Sequence, residues 1–303
     1  MGAVIQAAAT ARPSHWPLTH GARRLADAAV ASCLQQAGVA SDDLDLLVNV
    51  GVFRERGLGE PALAALIQED IGANLEHPPT GGHGTFSFDL DNGACGVLTG
   101  AHLVRGFLES GAVHQGVVVA SDSGPGPVHA DHMPYAEAGG ALLLGWAAQT
   151  SGLVAHRAET FPEFEGLAQS HWSWQPAPHR VPHTRDGHNT LVVTERPGYH
   201  ERAADCAAEV ARRFLGDHDV TAGAVDLLIA THAPGFADAL ADRLGIRHSR
   251  VLHVGEDMST AYTAAPVAAI ETAMRQGRWA DAHTVLLVAA GAGISVAVSL
   301  YRQ

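Results

Sequence analysis

Of the three cysteines in the 303 residues, one stands apart by its surroundings. Cys95 lies in DNGACGVLTGAHLV, just after a glycine and at the predicted start of a helix whose next residues are small. A thiol at a helix N-terminus feels the positive end of the helix dipole and unpaired amides, so its pKa is expected to fall and its thiolate to act as a nucleophile. Its own N–H is expected to serve an oxyanion hole. A free cysteine is otherwise a small buried hydrophobe, which is the reading for Cys33 and Cys206 inside their alanine-rich stretches. The odd number and wide spacing of the three cysteines suggest neither a disulfide framework nor a CxxC metal site.

His232 closes an apolar run in VDLLIATHAPG, where the chain leaves a predicted strand at Ala233-Pro234-Gly235. Residues at the carboxyl ends of strands in α/β folds face the ligand crevice. A histidine there can act as a general base or donate a hydrogen bond to a thioester oxygen; the plainer alternative is an exposed loop histidine. Nineteen histidines are present, but they are dispersed without HExxH or HxH spacing, so no metal site is expected. Gly81-Gly82-His83-Gly84 is glycine-rich yet lacks the Lys-Ser/Thr of a phosphate loop.

The elements that must position these two side chains occur twice. The helical stretch Ala22–Ala37 leads into a turn and the strand that opens Asp45-Leu-Leu-Val; Ala203–Leu215 leads into a turn and Asp226-Leu-Leu-Ile. Further on, the glycine-stopped helix Gly93–Gly111 precedes the strand Val117–Ala120, and Ser259–Gly277 precedes Val285–Ala289. These strands are continuous apolar runs, as strands buried on both faces are. Helices alternating with buried strands imply an α/β fold, and the repeat implies a pseudo-duplicated αβαβα sandwich with halves at residues 1–154 and 155–303. The stretch from about residue 155 to 200, rich in Pro, His and Trp, reads as an inserted connection. Trp172 and Trp174 there either line a pocket or anchor a loop.

With AEAGGALLL at Ala136–Leu144 and the closing GAGISVAVSLYR, the cysteine and histidine motifs resemble the β-ketoacyl synthase III family of the thiolase superfamily. The resemblance covers most of the chain. It implies a thiolase-like fold, an acyl thioester on Cys95, His232 as second catalytic residue, Gly291 and Gly293 lining the active site, and a homodimer packed through the N-terminal half. It also implies acyl-CoA or acyl-carrier-protein thioesters as substrates and no permanently bound cofactor.

One departure bears on the reaction. Condensing members place an asparagine where ungapped counting back from Pro266 puts Ser259, or where a small gap puts Asp257. Neither is the amide donor that steadies a decarboxylated malonyl enolate. A carboxylate beside the histidine makes it a better base toward an alcohol or amine, and relatives in polyketide pathways that transfer acyl groups to hydroxyls resemble this pattern; Asp257 reads equally well as a helix N-cap. Three readings follow. They are acyl transfer to an oxygen or nitrogen acceptor, decarboxylative condensation, and a non-catalytic half of a synthase heterodimer, which intact Cys95 and His232 argue against.

Composition sets the outer bounds. A 47% hydrophobic content supports a large core, and a formal charge of −13 argues against nucleic acid. An acidic carrier would then dock on a local basic patch, for which Arg212, Arg213, Arg243 and Arg247 are candidates. No apolar stretch reaches bilayer-spanning length and no signal-peptide pattern opens the sequence, so a cytoplasmic protein is expected.

Overall fold

Strands that bury side chains on both faces need a layer on each side, and the chain supplies five layers. A computed structural model describes residues 2–13, 21–54, 60–75, 84–124, 134–147, 151–175 and 188–303. One sheet holds β1 (Gly2–Ala11), β2 (Leu46–Asn49), β3 (Phe86–Asp89), β4 (Gln115–Asp122) and β5 (Ala138–Ala147) in the order β1-β5-β4-β2-β3. A second holds β6 (Gly152–Thr160), β9 (Leu227–Thr231), β10 (Thr284–Gly291) and β11 (Ser295–Arg302) in the order β6-β11-β10-β9. A hairpin of β7 (Ala168–Gln175) and β8 (His188–Glu195) stands outside both.

Alternate residues of each strand reach different layers. From β4, Val118 and Ala120 point into the central layer and Val117 and Val119 into the outer one; in β10, Val285, Leu287 and Ala289 face the centre and Leu286, Val288 and Ala290 the outside. Helices α3 (Gly96–Glu109) and α7 (Ala265–Arg275) fill the centre between the sheets. The outer face of the first sheet is covered by α1 (Ala22–Ala37) and α2 (Leu63–Asp70), that of the second by α4 (Tyr199–Asp217) and α5 (Phe236–Leu244). This is the αβαβα sandwich expected from the repeat.

The sheets share one connectivity. In each, the first strand runs antiparallel to the last, which runs antiparallel to the one before it in the chain, which runs parallel to the second: β1-β5-β4-β2 and β6-β11-β10-β9. Where β3 adds an edge to β2, the second sheet has one isolated parallel bridge from Leu228 to Val251. The paired aspartates also do the same work. Asp45 accepts from the N–H groups of His114 and Gln115 at the start of β4, and Asp226 accepts from that of Thr284 at the start of β10.

Two expectations are corrected. The region after residue 155 is no mere connection, because β6 pairs with β11 along its length and its first residues, Gly152 and Leu153, are buried. The second central helix does not begin at Ser259: that residue ends the one-turn α6 (Glu256–Ser259), and Tyr262, at φ 41°, breaks the path before a 3-10 turn, Tyr262–Ala264, leads into α7. The partner of the Gly93–Cys95 turn that leads into α3 is therefore Tyr262–Ala264, and Cys95 corresponds to Ala264. The last helix, α8 (Arg278–Asp281), precedes β10.

Candidate active site

Cys95 ends its 3-10 turn directly before α3 and is 1% exposed. Its Sγ lies 3.5 Å from the carbonyl oxygens of Ala289 and Ser295, on two strands of the second sheet. The helix start is where the sequence placed it, but the thiol is not lowered: burial pushes it up to about 12, opposed only by a backbone contact at Ala297. Dehydration outweighs the helix terminus because the thiolate would lose its water to an apolar layer. The Cys95 N–H does not point at an open oxyanion position either, since the turn commits it to the Asn92 carbonyl at 3.0 Å. Gly291 approaches closely, and a Cβ added there would sit 3.2 Å from that of Ala94. Gly293 follows in the β10–β11 turn at φ 124°.

His232 follows β9 at once, and its Nδ1 lies 3.0 Å from the carbonyl oxygen of Ala290. A carbonyl only accepts, so Nδ1 carries the proton and the neutral ring keeps its lone pair on Nε2. The ring packs edge-on to Tyr199 at 4.9 Å and tilted on Phe236 at 5.1 Å. Burial lowers His232 to about 4, with the bond to Ala290 raising it and nearby His200 lowering it further. Burial raises the phenols of Tyr199 and Tyr262, and both lie near enough to Cys95 that a charge on its thiol would raise them more. Anchors on the neighbouring residues Ala289 and Ala290 thus bring the thiol and the imidazole to one end of the second sheet.

A cleft of about 200 Å³ opens beside His232, lined by Thr231, Pro234, Asp238, Leu252, His253 and Ser259 among others. Thr231 Oγ1 is buried in its wall and has no hydrogen-bond partner among the described residues. Ser259 therefore shares the cleft with His232; Asp257 lies in α6, but its side chain is outside the described residues. Trp174 is 58% exposed and lines no described cleft, whereas the side chain of Trp172 and residues 81–83 lie outside the described residues. Cys33 is buried and burial pushes its thiol up to about 12, as for an inert core cysteine; Cys206 is buried likewise. Two residues without any motif join the site: His200 Nδ1 is 3.1 Å from His232 Nε2, and His200 Nε2 is 3.3 Å from Glu195. Among the described residues no cluster of acidic, histidine and cysteine side chains could hold a metal, and no helix is long and apolar enough to cross a membrane.

Residues 215–303, which carry His232, Ser259 and the closing glycines, match the family described as 3-oxoacyl-(acyl-carrier-protein (ACP)) synthase III C terminal. The chain is 25% identical to a β-ketoacyl-(acyl-carrier-protein) synthase III of Synechocystis sp., over 89% of this chain and 79% of that protein. The chain is similar to β-ketoacyl synthase III proteins in sequence and in fold. Its fold is that of the 3-oxoacyl-(acyl-carrier-protein) synthase III of Aquifex aeolicus, with a TM-score of 0.76 at 18% identity over the whole of both chains. It is equally that of OleA of Xanthomonas campestris, solved with lauric acid and lauroyl-CoA, with a TM-score of 0.80 at 13% identity over 100% of this chain and 99% of that one.

Proposed function

We propose that the protein carries an acyl group as a thioester on Cys95 and passes it to a hydroxyl or amine acceptor, with His232 as base. The observation that carries this reading is the bond from His232 Nδ1 to the Ala290 carbonyl, which leaves Nε2 as a lone-pair acceptor. Decarboxylative condensation wants the reverse, N–H donors aimed at a thioester oxygen that gains charge; each such donor contributes about 3–4 kcal/mol to comparable transition states. Ser259, one of the two positions at which condensing relatives are expected to have an amide donor, stands in the cleft beside His232. A carboxylate from Asp257 would suit the base and oppose the enolate.

Acylation breaks the Cys95 S–H and the donor's C–S bond and forms the new thioester, the proton leaving with the donor's thiol. Transfer breaks that thioester, forms the ester or amide, and returns the acceptor's proton to Cys95. CoA or a carrier protein would present the donor, with no permanently bound cofactor, and the protein would work in the cytoplasm. A homodimer is favoured by β3, an edge strand whose Phe86 is 59% exposed and so can be covered by a second copy. The division expected at residues 154 and 155 falls inside β6, which begins at Gly152, so the halves divide just before that strand, with Cys95 in one and His232 in the other.

Condensation is the second reading, favoured by the synthase III name that the Synechocystis relative carries. Incubating the protein with acyl-CoA and then with malonyl-CoA, or with alcohols and amines, decides between them. Ester or amide formation with little carbon dioxide is expected; rapid carbon dioxide release with a β-keto product overturns the proposal. Ser259→Asn should raise the release if the missing donor is what limits condensation.

A further inference from the structure

The lone pair of His232 Nε2 is not open to the cleft alone. It faces Nδ1 of His200, whose other nitrogen faces Oε2 of Glu195, and Tyr135 donates to Oε1 of Glu195 at 3.4 Å. The line runs from β8 through the start of α4 to the end of β9, so three elements converge on it. Hydrogen bonding fixes its protons almost completely. Ala290 requires a proton on Nδ1 of His232, and a carboxylate at Glu195 requires one on Nε2 of His200. A hydrogen bond across the 3.1 Å gap between the rings needs a third proton, so the pair carries one positive charge, balanced by the Glu195 carboxylate, and either gap nitrogen can hold that proton. On His200 it sits on a ring whose side chain is 55% exposed and paired with a carboxylate; on His232 it sits on a buried ring.

We infer that His200 and Glu195 are positioning residues that keep one shared proton beside His232, so that His232 changes between lone-pair base and Nε2–H donor without exchanging a proton with bulk water. The change breaks the Nδ1–H bond of His200 and forms the Nε2–H bond of His232, while the Nε2–H of His200 stays on Glu195; no other bond is altered. With the proton on His200, His232 can take one from a thiol or an acceptor once its ring turns to the substrate. With the proton on His232, Nε2–H can be given to a departing thiolate or to a thioester oxygen. The inference rests on the reading of Cys95 and His232 as the acylation pair. The other ionisable groups around the two rings are Tyr199 between them, Glu201 and Arg243 lining the cleft of about 270 Å³ on the His200 side, and Asp238 and His253 lining the one on the His232 side.

The test uses the full chain labelled with ¹⁵N-histidine, its ring signals assigned with His200→Asn and His232→Asn. In the wild type, His232 should show a protonated Nδ1, and its Nε2 should respond to pH in the same step as His200. Glu195→Gln should separate the two responses. Independent titration of the rings in the wild type, or a pattern unmoved by Glu195→Gln, overturns the inference. A second readout is single-turnover release of CoA from octanoyl-CoA. Asparagine at position 200 keeps an amide donor near the place of Nδ1 but cannot pass on a proton, so acylation should slow about 10²-fold, within the range for proton transfer by a positioned side chain, with KM little changed. A wild-type rate in His200→Asn overturns the inference and leaves the acyl-enzyme reading intact. Absence of any Cys95 adduct in the wild type counts against that reading instead, while the ¹⁵N signals still decide the shared proton.

Discussion

The two halves put different side chains at matching points, and the difference shows what each half gives up. Aligned through Asp45 and Asp226, His232 corresponds to Gly51 and Ala290 to Ser121. In the second half the carbonyl of Ala290 receives the proton of His232; in the first, the carbonyl of Ser121 lies so close that a Cβ on Gly51 would sit 2.2 Å from it. One backbone oxygen thus positions an imidazole in one half and forbids a side chain in the other. The helix starts are reversed, with the thiol of Cys95 in one and only Ala264 at the matching place in the other. Each turn is held by the opposite sheet: β10 and β11 carbonyls flank Cys95, and Asp122 of β4 accepts from Thr263 through both its N–H, at 3.0 Å, and its hydroxyl.

The sharpest way to break this comparison is to exchange the turns. Cys95→Ala should abolish the acyl adduct and lower activity at least about 10³-fold, as loss of a covalent nucleophile does. Adding Ala264→Cys to that variant should not restore the adduct, because no histidine ends β2; an adduct at position 264 by intact mass would show the halves to be chemically equivalent. Next comes the strand-end pair. His232→Ala should slow acylation by about 10²–10⁴-fold while costing only about 1 kcal/mol of stability from one hydrogen bond. Gly51→Ala should do the opposite, costing about 2–3 kcal/mol by overpacking against backbone in urea unfolding. Comparable losses of stability in both would dissolve the contrast.

A smaller effect is expected across the sheets. Asp122 is wholly buried, and it also accepts from the N–H groups of Val52, at 3.0 Å, and Phe53, at 2.8 Å. Asp122→Asn turns an amide toward donors and should cost about 2–3 kcal/mol, and slow acylation if the two turns depend on each other; unchanged stability would mean the clasp is incidental. The smallest effect lies away from the site. His156 of β6 is bonded through Nδ1 to Ser299 at 2.9 Å, its Nε2 has no partner among the described residues, and burial lowers it to about 4. The unfolded chain therefore binds this proton first as pH falls, so the stability it contributes is present at neutral pH, declines from about pH 6.5 and is gone below about 4. The loss should be on the order of 2–3 kcal/mol and absent in His156→Phe; His232 acts in the same direction.

Much of this was legible in the sequence because it rests on local pattern. Asp-Leu-Leu before each buried run marks a strand whose neighbour is capped by the aspartate, and a glycine-flanked cysteine before small residues marks a turn into a helix. What was not legible depends on distance in the chain. The fall expected for the Cys95 thiol followed from the helix start, whereas its rise follows from strands some 200 positions away. Ser259 was misplaced because the break at Tyr262 leaves no Gly or Pro as a sign. His200 and Glu195 carry no motif at all; only the docking of α4 against the end of β9 gives them meaning.

The crossed holding of the turns gives the chain the logic of a two-part lock. Fragments ending after β5 and starting at β6 would each carry an incomplete centre, one with a thiol lacking its histidine and its flanking carbonyls, the other with a turn lacking its carboxylate anchor. Activity recovered on mixing them would measure re-pairing of the halves directly, which makes this fold a natural split reporter of its own assembly.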